Sequence, residues 1–121
     1  MNLETLNPGL LLLIFIAGGI GSAIRLAFSR WSGRWPWGIL VANVLASLVA
    51  GMAIGAFGGA ATIAVVLVWG IAGGLSTFSS WAGQTVHLIG SGRWIAAVLY
   101  TAATVALSST AVYIGLALVA R

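Results

Sequence analysis

Four apolar stretches, each about 20 residues or longer and nearly free of charge, follow one another along a chain of 121 residues. That pattern constrains the fold more than any motif does. A bilayer core about 30 Å thick takes about 20 apolar residues to cross as a helix, and only helices and closed barrels satisfy their own backbone in lipid. The stretches read as spans at about 8–28, 37–57, 61–89 and 94–120, which leave no room for a soluble domain. Hydrophobic residues make up 61% of the chain and charged ones 5%, against about 25% charged in soluble domains. The expected fold class is therefore an all-α membrane protein: a single transmembrane domain of four helices in the lipid bilayer.

Charge and special residues exclude several function classes. Five arginines stand against one glutamate, for a net charge of +4. They are sparse and sit at the ends of apolar runs, so no basic face follows a phosphate backbone and no nucleic acid is expected as a partner. There is no cysteine, which removes disulfides and thiolate metal sites, and the single His87 cannot build a metal site alone. The leading segment MNLETLNPG carries Glu4 and no Lys or Arg, opposite to a secretory n-region, so the first run reads as a mature span.

Local signals agree with the span count. Asn7 and Pro8 suit an N-cap and first helical position, and the second span begins behind Pro36. Trp31, Trp35 and Trp37 fall in the first connection and Trp94 in the third, which an even topology places at one membrane face as an aromatic belt. Arg30, Arg34 and Arg93 share that face, Arg25 lies close to it, and Arg121 lies on the other. The positive-inside rule then puts both termini outside. In the second span Ala42, Ala46 and Ala50 recur every four residues beside Gly51 and Gly55, a small-residue ridge that lets helix backbones approach closely.

The third span is interrupted, with the break expected near 73–79. Its centre reads GGLSTFSSWAG from Gly73 to Gly83, where a lipid-facing helix would carry Leu, Ile and Val. Non-helical backbone at membrane depth is tolerated only against protein or a water-filled cavity. A break frees carbonyls that suit a small cation and N–H groups that suit an anion; the plainer alternative is a glycine kink with serines bonded back to the helix. Three further polar features accompany the break. Asn43 lies mid-span with two amide donors. Tyr100, Thr104 and Ser108 recur every four residues and stack hydroxyls on one face of the fourth span. Phe78 and Trp81, three apart, share a face if the helix resumes after the break.

No carboxylate lies within a span, and Gln84 is neutral. A proton-coupled exporter needs such an intramembrane acid. Catalysis is equally unsupported, because GLSTF lacks the last glycine of a nucleophile elbow and no histidine and acid pair accompanies Ser76.

The first span has GGIGSAIR at Gly18 to Arg25, a glycine-rich stretch ending in arginine. The second has PWGILVANVLASLVAG at Pro36 to Gly51, with proline, glycine and asparagine in order. The third has GIAGGLSTFSSW at Gly70 to Trp81. In these three ordered motifs the chain resembles the small fluoride channels called Fluc or CrcB, whose patterns are a glycine-rich motif ending in arginine, a proline, glycine and asparagine pattern, and a glycine pair followed by Thr-Thr-Phe-Ser-Thr-Phe.

The resemblance implies a passive fluoride channel, not an enzyme, in the inner (cytoplasmic) membrane: an antiparallel dimer with two narrow pores and a structural sodium ion on its twofold axis. By position, Gly73 and Ser76 would offer that sodium their carbonyls, and Phe78 and Trp81 would occupy the two pore-lining aromatic positions. Asn43 would stand beside them, Tyr100, Thr104 and Ser108 would form the polar track, and Arg25 would have a vestibular or structural role. Trp81 replaces the family's second phenylalanine, Ser76 a threonine and Gln84 a glutamate; the indole narrows, blocks or lines a pore. A homodimer of two opposite orientations needs a chain without orientation preference, whereas this one carries an arginine bias, so homodimer and heterodimer with an oppositely oriented homologue both stand. In the heterodimer the chain is either a conducting subunit or a structural partner with a degraded pore of its own.

Overall fold

The computed structural model describes residues 7–31, 33 and 35–119. Glu4, Arg34 and Arg121, which entered the charge reading, lie outside the described residues. Helix α1 covers Pro8–Ser29 and α2 covers Trp37–Phe57. The third span is two helices, α3 over 62–75 and α4 over Phe78–Gly90, and α5 covers Trp94–Val119. Among the described residues there is no strand. Four segments, Pro8–Ser29, Trp37–Phe57, Thr62–Gly90 and Trp94–Val119, are long and apolar enough to cross a membrane.

Helix ends follow residue chemistry. The Asn7 side chain accepts a hydrogen bond from the Leu10 N–H at 2.8 Å, and Pro8 fills the first helical position, where a missing N–H costs nothing. Pro36 precedes α2. Gly58 and Gly92 adopt positive φ in the two tight turns that follow α2 and α4, a conformation that favours glycine.

The helices pack as two parallel pairs. In the first, α1 lies along α3: a Cβ at Gly74 would run into the Gly18 carbonyl, and one at Gly21 into the Ile71 carbonyl. In the second, α2 lies along α5, with Gly51 against Val112 and Gly115 against Leu48. Near their starts, Ile39 and Leu40 of α2 meet Ala97 and Tyr100 of α5 and Leu88 of α4. The first and third connections therefore lie at one end of the bundle, the end that carries Trp31, Trp35, Trp37 and Trp94. The alanine ridge joins the pairs, since Ala42 and Ala46 pack against Ala72 and Leu75 of α3. Without a hydrophobic drive between helices in lipid, close backbone approach of this kind supplies the van der Waals contact that holds a bundle.

One local feature was invisible in the sequence. Val66–Ala72 of α3 is wound as a π-helix, with hydrogen bonds one residue longer than in an α-helix. Its sequence, VLVWGIA, is ordinary apolar helix material. The wide turns lie immediately ahead of the break, and such segments recur near functional sites.

The glycine contacts make a stability test. Gly74→Val and Gly51→Val are expected to lower stability by about 1–3 kcal/mol each, because backbone stands where the new side chain must go. Gly59→Ala, which meets nothing within 4 Å, should stay within about 0.5 kcal/mol of the parent. Unfolding in mixed micelles titrated with denaturing detergent reads both.

Candidate functional site

The third span leaves the helix at Ser76 and Thr77. Ser76 has φ −74° and ψ 151° and Thr77 has φ −153° and ψ 120°, both extended, between a helix that ends at Leu75 and one that begins at Phe78. Breaking a helix in a membrane strands backbone groups, each of which costs several kcal/mol if left to hydrocarbon. Asn43 of α2 meets that cost directly. Its Oδ1 accepts from the Thr77 N–H at 2.8 Å and its Nδ2 donates to the Thr77 carbonyl at 3.5 Å. A single carboxamide thus pairs with both polar groups of one extended residue, as a neighbouring peptide would in a sheet. The pair is enclosed: Asn43 is 9% exposed and Thr77 8%.

Thr77 does a second job. Its hydroxyl accepts from the Ser80 N–H at 3.1 Å and lies 3.2 Å from the Ser79 hydroxyl, so it is the N-cap of α4. Sequence reading placed Thr77 in the polar cluster but gave it no role, although threonine three residues ahead of a serine N–H at a helix start is a recognisable cap signal. On the other side of the break, carbonyls lose their regular donors. The Gly73 carbonyl would bond the Thr77 N–H in a continuous helix, and that N–H goes to Asn43. The Ser76 carbonyl would bond the Ser80 N–H, and that goes to the Thr77 hydroxyl. Gly73 and Ser76 are both exposed on the protomer surface and both line a groove of about 340 Å³ with Ser47 and Ala72. The neighbouring Gly74 carbonyl accepts from the Ser22 hydroxyl at 3.4 Å.

A larger groove of about 440 Å³ runs beside the break. Asn43, Thr77, Phe78, Trp81, Thr104 and Ser108 line it, together with Ser47, Ser76, Val105 and Ser109. No charged residue is among them. The Phe78 and Trp81 rings stand 5.1 Å apart between centroids at 47°, a tilted aromatic pair, and Phe78 is 79% exposed. Thr104 turns its hydroxyl back to the Tyr100 carbonyl at 2.7 Å, and Ser47 does the same to the Asn43 carbonyl at 3.0 Å. Three buried polar atoms have no partner among the described residues: Trp81 Nε1, Ser108 Oγ and the Tyr100 hydroxyl. Each such group costs about 1–3 kcal/mol, and two of the three, Trp81 Nε1 and Ser108 Oγ, belong to residues that line this groove, a pattern that calls for a functional explanation.

The structure brings Asn43, Phe78, Trp81, Thr104 and Ser108 together at the groove. Tyr100, one turn from Thr104, is fully buried in the core cluster with Ile39, Leu40 and Leu88 and is not a lining residue; Trp81 packs against that same cluster. Arg25 is half-buried on α1 and does not line the groove. Ser109 entered no sequence motif, and Ser47 lay within the Pro36 to Gly51 motif without being given a role. Among the described residues no group of three His, Cys, Asp or Glu side chains is placed to hold a metal ion, so carbonyl oxygens are the donors a cation would find at the break.

Removing the clamp isolates its contribution. Asn43→Leu is expected to destabilise the chain by about 1–3 kcal/mol, since the Thr77 N–H is left buried without an acceptor. Amide hydrogen exchange across 72–80 should quicken, while exchange in α5 changes little.

Comparison with known proteins agrees on one family. Residues 12–116 match the model of the CrcB-like protein family, Camphor Resistance (CrcB). Relatives include proteins named fluoride-specific ion channel FluC from Rhizobium etli, 34% identical over 116 residues covering 88% of this chain and 93% of the relative, and from Roseiflexus sp., 33% identical with 84% and 90% covered. A protein named fluoride-specific ion channel FluC 2 from Natronomonas pharaonis is 40% identical over 102 residues, covering 84% of this chain and 86% of the relative. These relatives are named as ion channels, not enzymes. With four membrane-capable helices and a family match over most of its length, the chain is a multi-pass membrane protein that belongs to the CrcB-like family.

Proposed function

We propose that the chain is a subunit of a passive, fluoride-selective channel that works as a dual-pore antiparallel dimer and releases fluoride across the cell's inner (cytoplasmic) membrane. The observation that carries this reading is the groove beside the break: an uncharged groove that gathers amide and hydroxyl side chains, with unpaired buried donors at Trp81 and Ser108, on a bundle whose outer surface is mostly apolar. Lipid does not solvate the amide and hydroxyl groups gathered there. A second subunit covering it turns an open groove into a narrow passage.

Fluoride is small and strongly hydrated, so it enters only where donors replace its water. Ser108 supplies a free hydroxyl, Asn43 holds a second amide proton beyond the one bonded to Thr77, and Thr104 donates after rotating away from the Tyr100 carbonyl. The Tyr100 hydroxyl extends the same line of donors into the core. Phe78 and Trp81 present electropositive ring edges. Without a fixed charge in the groove the anion is not trapped, which keeps passage fast, and Arg25 acts in the vestibule or in the scaffold. Transport is downhill, driven by the membrane potential.

The Gly73 and Ser76 carbonyls, stripped of their helical donors, suit a structural sodium ion, because hard carbonyl oxygens at the end of a half-helix are sodium ligands of the kind broken membrane helices provide. Two antiparallel copies contribute four such oxygens. The ion offsets the partial negative charge of both half-helix ends and ties the copies together.

The arginine bias and Trp81 favour a second arrangement, in which the other subunit is an oppositely oriented homologue and this chain is the structural partner, its own aromatic pair closed to ions. Fluoride efflux from liposomes, read with an ion-selective electrode, separates the two. Efflux from the chain alone, lost in Phe78→Ile and Asn43→Ala, is the expected result for a conducting homodimer. Efflux only on co-expression with a homologue, unaffected by Phe78→Ile in this chain, assigns the structural role. No fluoride efflux in either assembly overturns the channel reading.

A further inference from the structure

We propose that the seam between α4 and α5, from Thr85 and Ala102 out to Trp94, binds one acyl chain of an anionic phospholipid, whose phosphate is held beside Arg93. The proposal uses only the placement of the bundle in a membrane, so it stands apart from the channel reading. Two grooves follow one another along this seam. The first, of about 440 Å³, is the one that Trp81 and Val105 line beside the break. The second, of about 460 Å³, continues from Thr85 and Thr101 to Ile89 and Trp94. Spacing puts both on one face, since Trp81, Thr85 and Ile89 recur every four residues along α4, and Ala97, Thr101 and Val105 do so along α5.

Polarity changes from one groove to the next. The first gathers an amide and several hydroxyls, which lipid does not solvate. In the second, hydroxyls come only from Thr101 and from Thr85, whose own is bonded back to the Trp81 carbonyl at 2.8 Å. Hydrocarbon meets no unsatisfied demand there, so the reason for protein cover ends where the polar groups end. Length then selects the occupant. Trp94 to Ala102 is about 12 Å of helix at about 1.5 Å per residue, close to half of a hydrocarbon core about 30 Å thick. A groove one leaflet long, open at the aromatic belt, fits a single acyl chain. Small residues, Ala97, Thr101 and Ala102, leave the space, and Ile89, Trp94 and Val98 stand around it, 55%, 64% and 58% exposed. Charge selects the headgroup. Arg93 precedes Trp94 at the mouth, and a guanidinium has donors enough to take a phosphate oxygen alongside a contact within the protein. Arg30 is exposed at the same end, and among the described residues there is no acidic side chain to repel a phosphate.

The test takes the whole chain, with its homologue where assembly needs one, in phosphatidylcholine vesicles that contain phosphatidylglycerol with a diazirine at the tip of one acyl chain. Illumination, digestion and mass spectrometry locate the adducts. The expected result is labelling of Thr85, Thr101 and Ala102 severalfold above that of Phe15, Ile16 and Ile20, which are exposed in the middle of α1. Ala102→Trp fills the groove from an exposed position and should remove the excess while labelling of α1 stays unchanged. Arg93→Gln should lower the preference for phosphatidylglycerol over an identically labelled phosphatidylcholine about fivefold, the worth of one arginine near an anionic surface. Equal labelling of the seam and α1, or an excess that survives Ala102→Trp, overturns the proposal. A seam excess with no headgroup preference in the parent overturns the assignment to an anionic lipid. Because the chain has no cysteine, a disulfide between two Ala102→Cys copies, with the parent's seam protected from label, assigns the groove to a second copy and overturns the lipid site.

Discussion

The architecture depends on one carboxamide. A helix can be interrupted inside a membrane only if something replaces the hydrogen bonds that the interruption removes, and here Asn43 engages both the N–H and the carbonyl of Thr77. Water would serve at a protein surface and is missing in hydrocarbon. The clamp also explains why Asn43 can sit in the middle of an apolar span: its carbonyl oxygen and one of its two amide protons are taken up by the defect they repair. Once Thr77 is held extended, its hydroxyl is free to cap α4, and the chain resumes its helix with Phe78 facing outward. The unusual features of the third span, from the liberated Gly73 carbonyl to the exposed Phe78 ring, follow from that one pairing.

The rest of the bundle is built so that this defect keeps a fixed position. Glycine and alanine contacts draw α1 onto α3 and α2 onto α5 at backbone distance, and the Ala42 and Ala46 ridge presses the first pair on the second. Small residues lose little side-chain entropy on packing and leave no long rotamers to rearrange, so the position of Asn43 relative to Thr77 is set by backbone against backbone. A bundle held by long flexible side chains would let α2 slide, and a short slide separates an amide from its two partners.

Much of this was legible in the sequence, for definable reasons. Four spans follow from length and apolarity. The Asn7 cap and the small-residue ridge are local signals with local causes, and the ridge did mark a close helix interface. The Gly-Gly-hydroxyl cluster announced a disturbance in the third span because such residues are poor lipid-facing material. What escaped were features that depend on depth and phase. Tyr100, Thr104 and Ser108 share a helix face by spacing, but α5 passes from the core cluster at Tyr100 to the groove at Thr104 and Ser108, and periodicity carries no information about how deep a face lies at each turn. The π-helix was hidden because Val, Leu, Trp and Ile read alike in either winding. Asn43 was recognised as polar and central; that its first duty is to Thr77 required knowing that residues 34 apart in sequence meet.

That double duty bears on how a neutral groove can select an anion. A site lined by arginine would attract any anion and release it slowly, whereas donors already partly engaged within the protein offer only as much as they can spare. The second Asn43 proton, the Thr104 hydroxyl that must leave the Tyr100 carbonyl and the unpaired Ser108 hydroxyl form a graded series, from engaged to free. An ion whose hydration is strong gains from such a series only if it comes close enough to compete with bonds of 2.7 to 3.0 Å that the hydroxyls already make. Larger, weaker acceptors would leave those bonds in place and gain nothing from the donors. In the proposed channel, selectivity would then come from competition with the chain's own hydrogen bonds, and the Asn43 to Thr77 pairing, by fixing the backbone against which that competition is measured, would be as much a part of it as any donor in the groove.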